Sequence, residues 1–372
     1  MMLLGSVFAI LLLGRYLQKK KDADLLLVIM LALMIYDRTT YTIGFMGWYD
    51  TFENTKVNYF LWPIGLAIGP LVYLYVRTTI EAPFKLTKGD IWHLVPAIVY
   101  ILYKLVLIVH DAQQDDWDQG YSGGWKAHFD DTYVNDIRAF LGYTSKLIYA
   151  VLTVQIFSRY RKKVMEFFSN TFDVELNWIF LFLVVYLLLF AYGIVAELLD
   201  LSGIVEMGYK DYWWINLAYA IAIVLLGYKA YRVDIDRLHH LTWDIPQEQL
   251  TKPAQRTDLY AKGLANIKEQ LIAEQAYLNP DLTLKEVAAM SSLSAHDISA
   301  HINQGLGINF NEYINQYRVD AVKEALSNPD MAHLSLVAIA MDCGFNSKAT
   351  FNRVFKKLTG QSPSAYRASL RS

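Results

Sequence analysis

Seven long apolar stretches occupy the first 232 residues, and they restrict the fold of this chain more than any other feature. They cover residues 1–17, 24–48, 58–80, 90–110, 134–158, 176–199 and 212–231. Most reach the length of about 20 residues that a helix needs to cross a hydrocarbon core. The composition agrees, since 54% of the residues are hydrophobic, 19% are charged and the mean hydropathy is +0.22. The pattern predicts an all-α chain that begins with a seven-helix transmembrane bundle over residues 1–232.

Basic residues in the loops predict the orientation of this bundle, because short cytoplasmic loops are enriched in Lys and Arg. Four, three, four and three basic residues lie at the end of or directly after stretches one, three, five and seven, whereas the opposite loops hold only Lys56, Lys126 and Lys210. The first stretch precedes its basic residues, which favours an uncleaved anchor over a signal peptide. Its Met1-Met2 start leaves open a start further upstream. We therefore predict an outside N-terminus and a cytoplasmic C-terminal region.

Five ionisable residues inside the apolar stretches lie at a similar depth, in the middle or outer half of the predicted spans. They are Asp37, Arg38, Lys104, Lys146 and Glu197. Charges in a membrane are costly and usually face the bundle interior or a wet cavity. Two interpretations stay open here: an outward-facing cavity that holds a signal ligand, or structural ion pairs such as Asp37 with Lys104 or Lys146.

The sequence contains no pattern that predicts catalysis. It lacks an HExxH motif and a phosphate-binding glycine loop, and its single cysteine, Cys343, excludes an intrachain disulfide and a cysteine metal cluster. The acidic stretch 111–136 lacks the spacing of an EF-hand and is predicted to be a solvated outer loop. We expect no enzyme activity, no cofactor and no metal site.

The chain turns polar at residues 233–257, which we interpret as a juxtamembrane linker before a C-terminal domain at 258–372. A helix is predicted over 258–276, and its apolar stripe could pack on that domain or on a second copy. The stripe consists of Leu259, Leu264, Ile267, Leu271 and Ile272.

Two helix-turn-helix units are predicted in this domain, at 283–305 and 335–358. Thr283 and Glu286 have the spacing of a capping box, and Ser294 can cap the next helix. A long helix from Asn309 joins the units. In the second unit, Gly344 can end one helix in the left-handed conformation and Ser347 can cap the following one.

The residues of the second unit resemble the signature of the AraC/XylS-type bacterial transcription regulators. The similar positions are Ile339-Ala340, Gly344-Phe345, Phe351-Asn352-Arg353-Val354-Phe355-Lys356-Lys357, Gly360, Ser362-Pro363-Ser364 and Tyr366-Arg367. Leu282-Thr283-Leu284 and Asn315-Gln316-Tyr317-Arg318 also look like the family, so the resemblance covers roughly 267–370. It implies a cytoplasmic DNA-binding domain at a bacterial inner membrane, with RNA polymerase as a partner.

Candidate DNA contacts lie mainly at the start of the second helix of each unit. They are Ser294, His296, Ser299 and Asn303 in the first unit, and Ser347, Lys348, Ala349, Asn352, Arg353, Lys356, Lys357 and Arg367 in the second. Arg353 can bind guanine and Asn352 can read adenine, whereas Lys356, Lys357 and Arg367 suit phosphates. The family often has an arginine at the position of Ala300, so base reading by the first unit looks weaker.

We interpret the chain as a membrane-anchored one-component regulator that binds double-stranded promoter DNA and responds to an outside or intramembrane signal. Its partners would be DNA, membrane lipid, RNA polymerase and an unidentified ligand, and a homodimer is one route for switching. The alternative is a seven-span receptor or transporter whose C-terminal domain docks a protein. The sequence identifies neither the ligand, nor the promoter, nor the sign of regulation.

Overall fold

The computed structural model describes residues 2–48, 56, 59, 60, 62–81, 86–114, 117, 124–171, 176–203, 208–232 and 257–370. Within these residues the chain is helical and has no β-strand, apart from one isolated antiparallel bridge between Phe168 and Thr283. The predicted linker at 233–257 lies almost entirely outside the described residues.

Among the described residues, seven α-helices lie in the first part of the chain. They are α1 (Met2–Lys19), α2 (Asp22–Phe45), α3 (Gly65–Ile80), α4 (Val95–Asp111), α5 (Asn135–Phe167), α6 (Asn177–Leu201) and α7 (Trp213–Arg232). Seven more follow: α8 (Thr257–Ala273), α9 (Leu284–Ser291), α10 (Ala295–Leu306), α11 (Phe310–Ser327), α12 (Leu336–Asp342), α13 (Lys348–Thr359) and α14 (Pro363–Ser369).

The chain divides into two compact units. The first comprises Met1–Phe157 and Asn177–Thr242, and the second comprises Ser158–Leu176 and Trp243–Ser372. Helix α5 begins in the first unit, whereas its last residues belong to the second. The sequence predicts that residues 158–176 belong with the apolar helices, whereas in the structure they belong to the second unit.

In the first unit, α1 packs against α2 and α7, and α2 also contacts α3. Six helices in the described residues are long and apolar enough to cross a membrane, and they correspond to six of the seven predicted stretches. The remaining one, α3, has 16 residues and begins at Gly65, later than the predicted start at residue 58. Seven full-length spans therefore stay a prediction.

The acidic stretch at 111–136 is not simply a solvated loop. Asp111 is buried and accepts hydrogen bonds from the Tyr59 hydroxyl at 2.7 Å and the Lys126 N–H at 2.9 Å. Asp130 is also buried and pairs with Lys104. These partners replace the water that a carboxylate loses on burial, and their positions, far away along the chain, are not evident from the sequence.

The second unit has two hydrophobic cores that share helix α11. Phe310, Tyr313 and Ile314 enter the core of α8, α9 and α10, whereas Val319 and Val322 enter the core of α12 and α13. The predicted caps are confirmed at the four helices: Thr283, Ser294, Asn309 and Ser347 each accept a hydrogen bond from the third residue that follows them. These caps explain why the helix starts agree closely with the sequence.

The apolar stripe of α8 serves the core of its own chain. Ile267 and Leu271 are fully buried against α9 and α10, and Leu264 is partly buried beside them. Ile272 is exposed, and the side chain of Leu259 lies outside the described residues. Packing on its own domain, one of the two roles predicted for this stripe, is confirmed for Ile267 and Leu271, and dimerisation stays a prediction.

Cys343 is buried in the second core, as expected, and burial raises the pKa of its thiol to about 11. The thiolate is the reactive form, so the native protein is expected to react with thiol reagents about 100-fold more slowly than a free cysteine, or slower still. Because Cys343 is the only cysteine, labelling by an aromatic disulfide reagent reports on this one site. Fast labelling of the folded protein, at the rate seen in denaturant, would contradict the buried position.

Candidate nucleic-acid interface and polar cavity

Helix α13 carries a polar face opposite a buried one. Ser347 caps its first turn by accepting a hydrogen bond from the Thr350 N–H. Phe351, Val354 and Phe355 are buried in the core below. The other face is exposed and holds Lys348, Ala349, Asn352, Arg353 and Lys356. The spacing of these five residues places them along one side of an α-helix.

The polar side chains of this face are unengaged. Those of Lys348, Asn352, Arg353 and Lys356 form no hydrogen bond or ion pair with any residue that the structure describes. A guanidinium and a carboxamide two turns or less from the helix start can reach base edges in a major groove. The arrangement presents donors and acceptors to a partner outside the chain.

Two of the predicted phosphate contacts have partners inside the chain. The Lys357 ammonium pairs with Glu312 on α11 and holds the pKa of that carboxyl below its usual range. The Arg367 guanidinium donates to the carbonyl oxygens of Leu334 at 2.8 Å and Ala332 at 2.6 Å. Both residues tie helices together in this structure, and their predicted contacts with DNA phosphates stay predictions.

Helix α10 offers fewer free groups than α13. Ser294 is used as the cap, and its hydroxyl also donates to Asp297 at 2.7 Å. The Asn303 amide donates to the Ser299 hydroxyl at 3.1 Å, so two predicted base readers bind each other. The His296 imidazole lies 3.8 Å from the Asp297 carboxylate. This geometry agrees with weaker base reading by the first unit.

A polar cavity of about 110 Å³ lies in the first unit and brings together three of the five ionisable residues predicted in the spans. Asp37, Arg38 and Lys146 line it, next to Ile64, Gly65, Ile68, Tyr186, Phe190 and Tyr219. Lys104 is elsewhere, in the pair with Asp130. The Glu197 side chain lies outside the part that the structure describes.

The charges in this cavity are only partly paired. Arg38 contacts Asp37 and Asn216, and its guanidinium carbon lies 4.8 Å from the centre of the Tyr219 ring. Lys146 has no hydrogen bond or ion pair among the described residues, and its ammonium lies 5.5 Å from the Tyr143 ring centre. Two basic side chains, Arg38 and Lys146, and one carboxylate, Asp37, thus line the cavity. Sequence reasoning missed the aromatic wall, because nothing in local spacing brings Tyr186 and Tyr219 beside Asp37.

Comparison with known proteins identifies a helix-turn-helix domain in the C-terminal region. A family model described as a helix-turn-helix domain matches residues 287–369. The chain is 32% identical over 103 residues to the regulatory protein PocR of Salmonella typhimurium, a match that covers 28% of this chain and 33% of PocR. It is 31% identical over 93 residues to an uncharacterized HTH-type transcriptional regulator of Staphylococcus aureus, covering 25% of this chain and 12% of the relative.

A solved structure of a protein of unknown function from Listeria innocua is 27% identical and covers 28% of this chain and 95% of its own, with a TM-score of 0.25. The matches to PocR and to the Staphylococcus aureus regulator cover a third or less of the length of those two proteins. The C-terminal region carries a helix-turn-helix domain, and the similarity to regulators agrees with the AraC-type resemblance of its sequence.

Proposed function

We propose that this protein is a membrane-anchored transcription regulator whose second unit binds promoter DNA sequence-specifically through two helix-turn-helix pairs, α9–α10 and α12–α13. The exposed face of α13 carries the proposal, because Lys348, Asn352, Arg353 and Lys356 lie on a capped helix and bind no other described residue. The helix-turn-helix match over residues 287–369 supports it.

The first unit supports membrane anchoring through its surface. Large apolar side chains are exposed on the helices long enough to cross a membrane, among them Leu3, Leu102, Leu181 and Leu188. A soluble monomer rarely exposes contiguous apolar surface on this scale, whereas lipid would cover it. Helix α5 has 33 residues, about 50 Å of helix, which exceeds a hydrocarbon core of about 30 Å.

The cavity lined by Asp37, Arg38 and Lys146 is the proposed signal site. Charged residues in a membrane bundle are costly and often mark a functional cavity. The free Lys146 ammonium would bind an acidic group of a small ligand, while Ile64, Ile68 and Phe190 would contact its apolar part. To act as a switch, the ligand must bind two states of the protein with different affinity.

Changing Arg353 to alanine is expected to weaken binding to the preferred DNA sequence by about 5- to 150-fold, because one good bidentate base contact is worth about 1–3 kcal/mol. Asn352→Ala should act in the same range. The measurement is a gel-shift titration of the full chain in lipid nanodiscs, with the duplex that the wild-type protein enriches most from random DNA.

Two control variants separate base reading from general charge. Lys356→Ala is expected to weaken preferred and unrelated duplexes alike and to reduce the salt dependence of binding. Lys268→Ala removes the same charge from an exposed position on α8 and should leave the preference unchanged. If Arg353→Ala retains the wild-type preference, α13 is not the base reader. A wild-type chain without any DNA preference would favour the alternative of a protein-docking domain.

Replacing Lys146 by methionine is expected to abolish the response to the signal, because the cavity loses its free cation while its apolar volume is kept. The measurement is a reporter driven by the enriched promoter, followed over a panel of growth conditions. Lys210→Met, an exposed substitution in the short 3-10 helix Tyr209–Tyr212 before α7, is the matched control. A Lys146→Met chain that reaches the membrane and keeps the wild-type range of reporter output would refute this signal site.

A further inference from the structure

The end of helix α5 and the residues that follow it belong to the second unit. Phe167 is 5% exposed and lies in the core formed by α8, α9, α10 and α11. Ser169 and Thr171 are 1% and 3% exposed. A polar loop between two apolar helices would normally be solvated. These residues instead behave as part of the helix-turn-helix domain, although at least 85 residues separate them from its first helix.

Helix α11 supplies the donors that hold this loop. The Asn311 amide donates to the Ser169 carbonyl oxygen at 2.8 Å. The Arg318 guanidinium donates to the same oxygen at 3.1 Å and to the Ser169 hydroxyl at 2.8 Å. Arg318 is 1% exposed, so these hydrogen bonds are shielded from water. The Ser169 carbonyl oxygen and hydroxyl thus both accept hydrogen bonds from side chains of α11.

The same loop contacts the start of the first helix-turn-helix pair. The Ser169 N–H donates to the Leu282 carbonyl oxygen at 3.1 Å, and Phe168 forms the isolated antiparallel bridge with Thr283. Thr283 is the residue that caps α9. A change in the loop would thus act directly on the first turn of α9, and through it on the position of α10.

The end of α5 also lies near the second helix pair. Met165 lines a cavity of about 350 Å³ together with Asn315 and Gln316 of α11 and with Arg353 and Lys357 of α13. Residues 165–171 consequently contact the first pair and share a cavity with the base-reading face of the second. Because α5 is one continuous helix, a shift along it would reach both pairs.

We propose that Asn311, Arg318 and the Leu282–Thr283 backbone form a docking surface for residues 167–171 of the same chain, and that this contact transmits the state of the apolar helices to the DNA-binding helices. The contacts identify the segment that occupies this surface. Ser169 accepts hydrogen bonds from the side chains of Asn311 and Arg318, and its N–H donates to the Leu282 carbonyl oxygen. The transmission role rests on the proposed DNA-binding function, whereas the docking does not.

Docking is tested by a disulfide in the full chain in nanodiscs. Cys343 is replaced by alanine, and Phe168→Cys and Thr283→Cys are introduced as a pair. Residues opposite each other in an antiparallel bridge have Cα atoms about 4.5–5.5 Å apart, within the range that a disulfide spans. With a protease site inserted between residues 232 and 257, the two fragments should stay linked on a non-reducing gel. Each single-cysteine variant is a control for intermolecular bonds, and a pair that links no better than these overturns the docking.

Transmission is tested by Ser169→Pro, which removes the N–H that binds Leu282 and the hydroxyl that binds Arg318. We expect amide hydrogen exchange in α9 and α10 to accelerate about tenfold or more and affinity for the preferred duplex to fall about tenfold. The variant with Phe168→Cys and Thr283→Cys should show slow amide hydrogen exchange in α9 and α10 when its disulfide is formed. After reduction its exchange should equal that of the wild type, which shows that the substitutions alone have no effect.

The outcomes separate the two proposals. Suppose that the disulfide pair keeps the two fragments linked, while Ser169→Pro binds DNA within twofold of the wild-type affinity. This result would overturn transmission and leave the DNA-binding function intact. A wild-type chain that binds no DNA would refute the proposed function, while the disulfide result would still decide whether the loop docks.

Discussion

Replacing Arg318 by methionine is expected to lower the stability of the second unit by about 3–5 kcal/mol, since buried hydrogen bonds from a charged donor are lost. The Arg318 guanidinium donates four hydrogen bonds, two of them to Ser169 and the others to the carbonyl oxygens of Tyr277 at 2.8 Å and Asn279 at 2.7 Å. Methionine fills a similar volume but leaves three buried oxygen atoms of the backbone without this donor.

Two opposing effects determine the size of this loss. Burial lowers the pKa of Arg318 to about 10, so placing the charge inside the domain costs about 3 kcal/mol, which methionine recovers. Hydrogen bonds from a charged donor contribute about 1.5–3 kcal/mol each, so four of them outweigh the cost of burial. The net effect is therefore destabilising.

The measurement is the free energy of opening from native-state hydrogen exchange at the amides of α11. Lys323→Met on the same helix is the matched control, because Lys323 pairs with Asp320 at the surface and such a pair is worth at most about 1 kcal/mol. Arg318→Lys should recover only part of the loss, since one ammonium cannot reach all the acceptors. Equal stability of Arg318→Met and wild type would show that the network contributes nothing.

Local structure in the second unit could be predicted because its signals are local. A cap such as Thr283 or Ser347 binds an N–H three residues away, and the stops at Gly344 and Gly360 depend on their own backbone conformation. These interactions involve residues within one or two turns, so the sequence contains nearly all the information required.

Contacts between distant residues could not be predicted in the same way. The pairing of Lys104 with Asp130 and the docking of Ser169 on Arg318 depend on how whole helices pack. One signal was available: Arg318 lies four residues after buried Ile314 and four before buried Val322, so a charged residue sits in the apolar stripe of α11. Such a position requires buried acceptors, although the sequence does not say which residues provide them.

Changing Gly344 to alanine is expected to destabilise the second unit by about 2–4 kcal/mol, more than conformational strain alone would cost. Gly344 has a φ angle of +88° at the turn between α12 and α13, a region that L-residues with a Cβ atom rarely adopt. An added Cβ would also lie 2.6 Å from the Tyr277 carbonyl oxygen and 2.9 Å from the Leu278 carbonyl oxygen. Both are backbone atoms in the turn that Arg318 holds, so neither can move away cheaply.

Gly360→Ala is the matched control that separates strain from steric overlap. Gly360 has a φ angle of +76° at the end of α13, and an added Cβ would have no atom within 4 Å. It should therefore show only the left-handed strain, about 1–2 kcal/mol. Opening free energies from hydrogen exchange in α12 and α13 provide the comparison. If the two alanine variants lose equal stability, the close approach of Gly344 to Tyr277 does not hold in the protein. A larger loss for Gly344→Ala means that this turn packs tightly against the segment after α8 and so stabilises the position of the second helix pair.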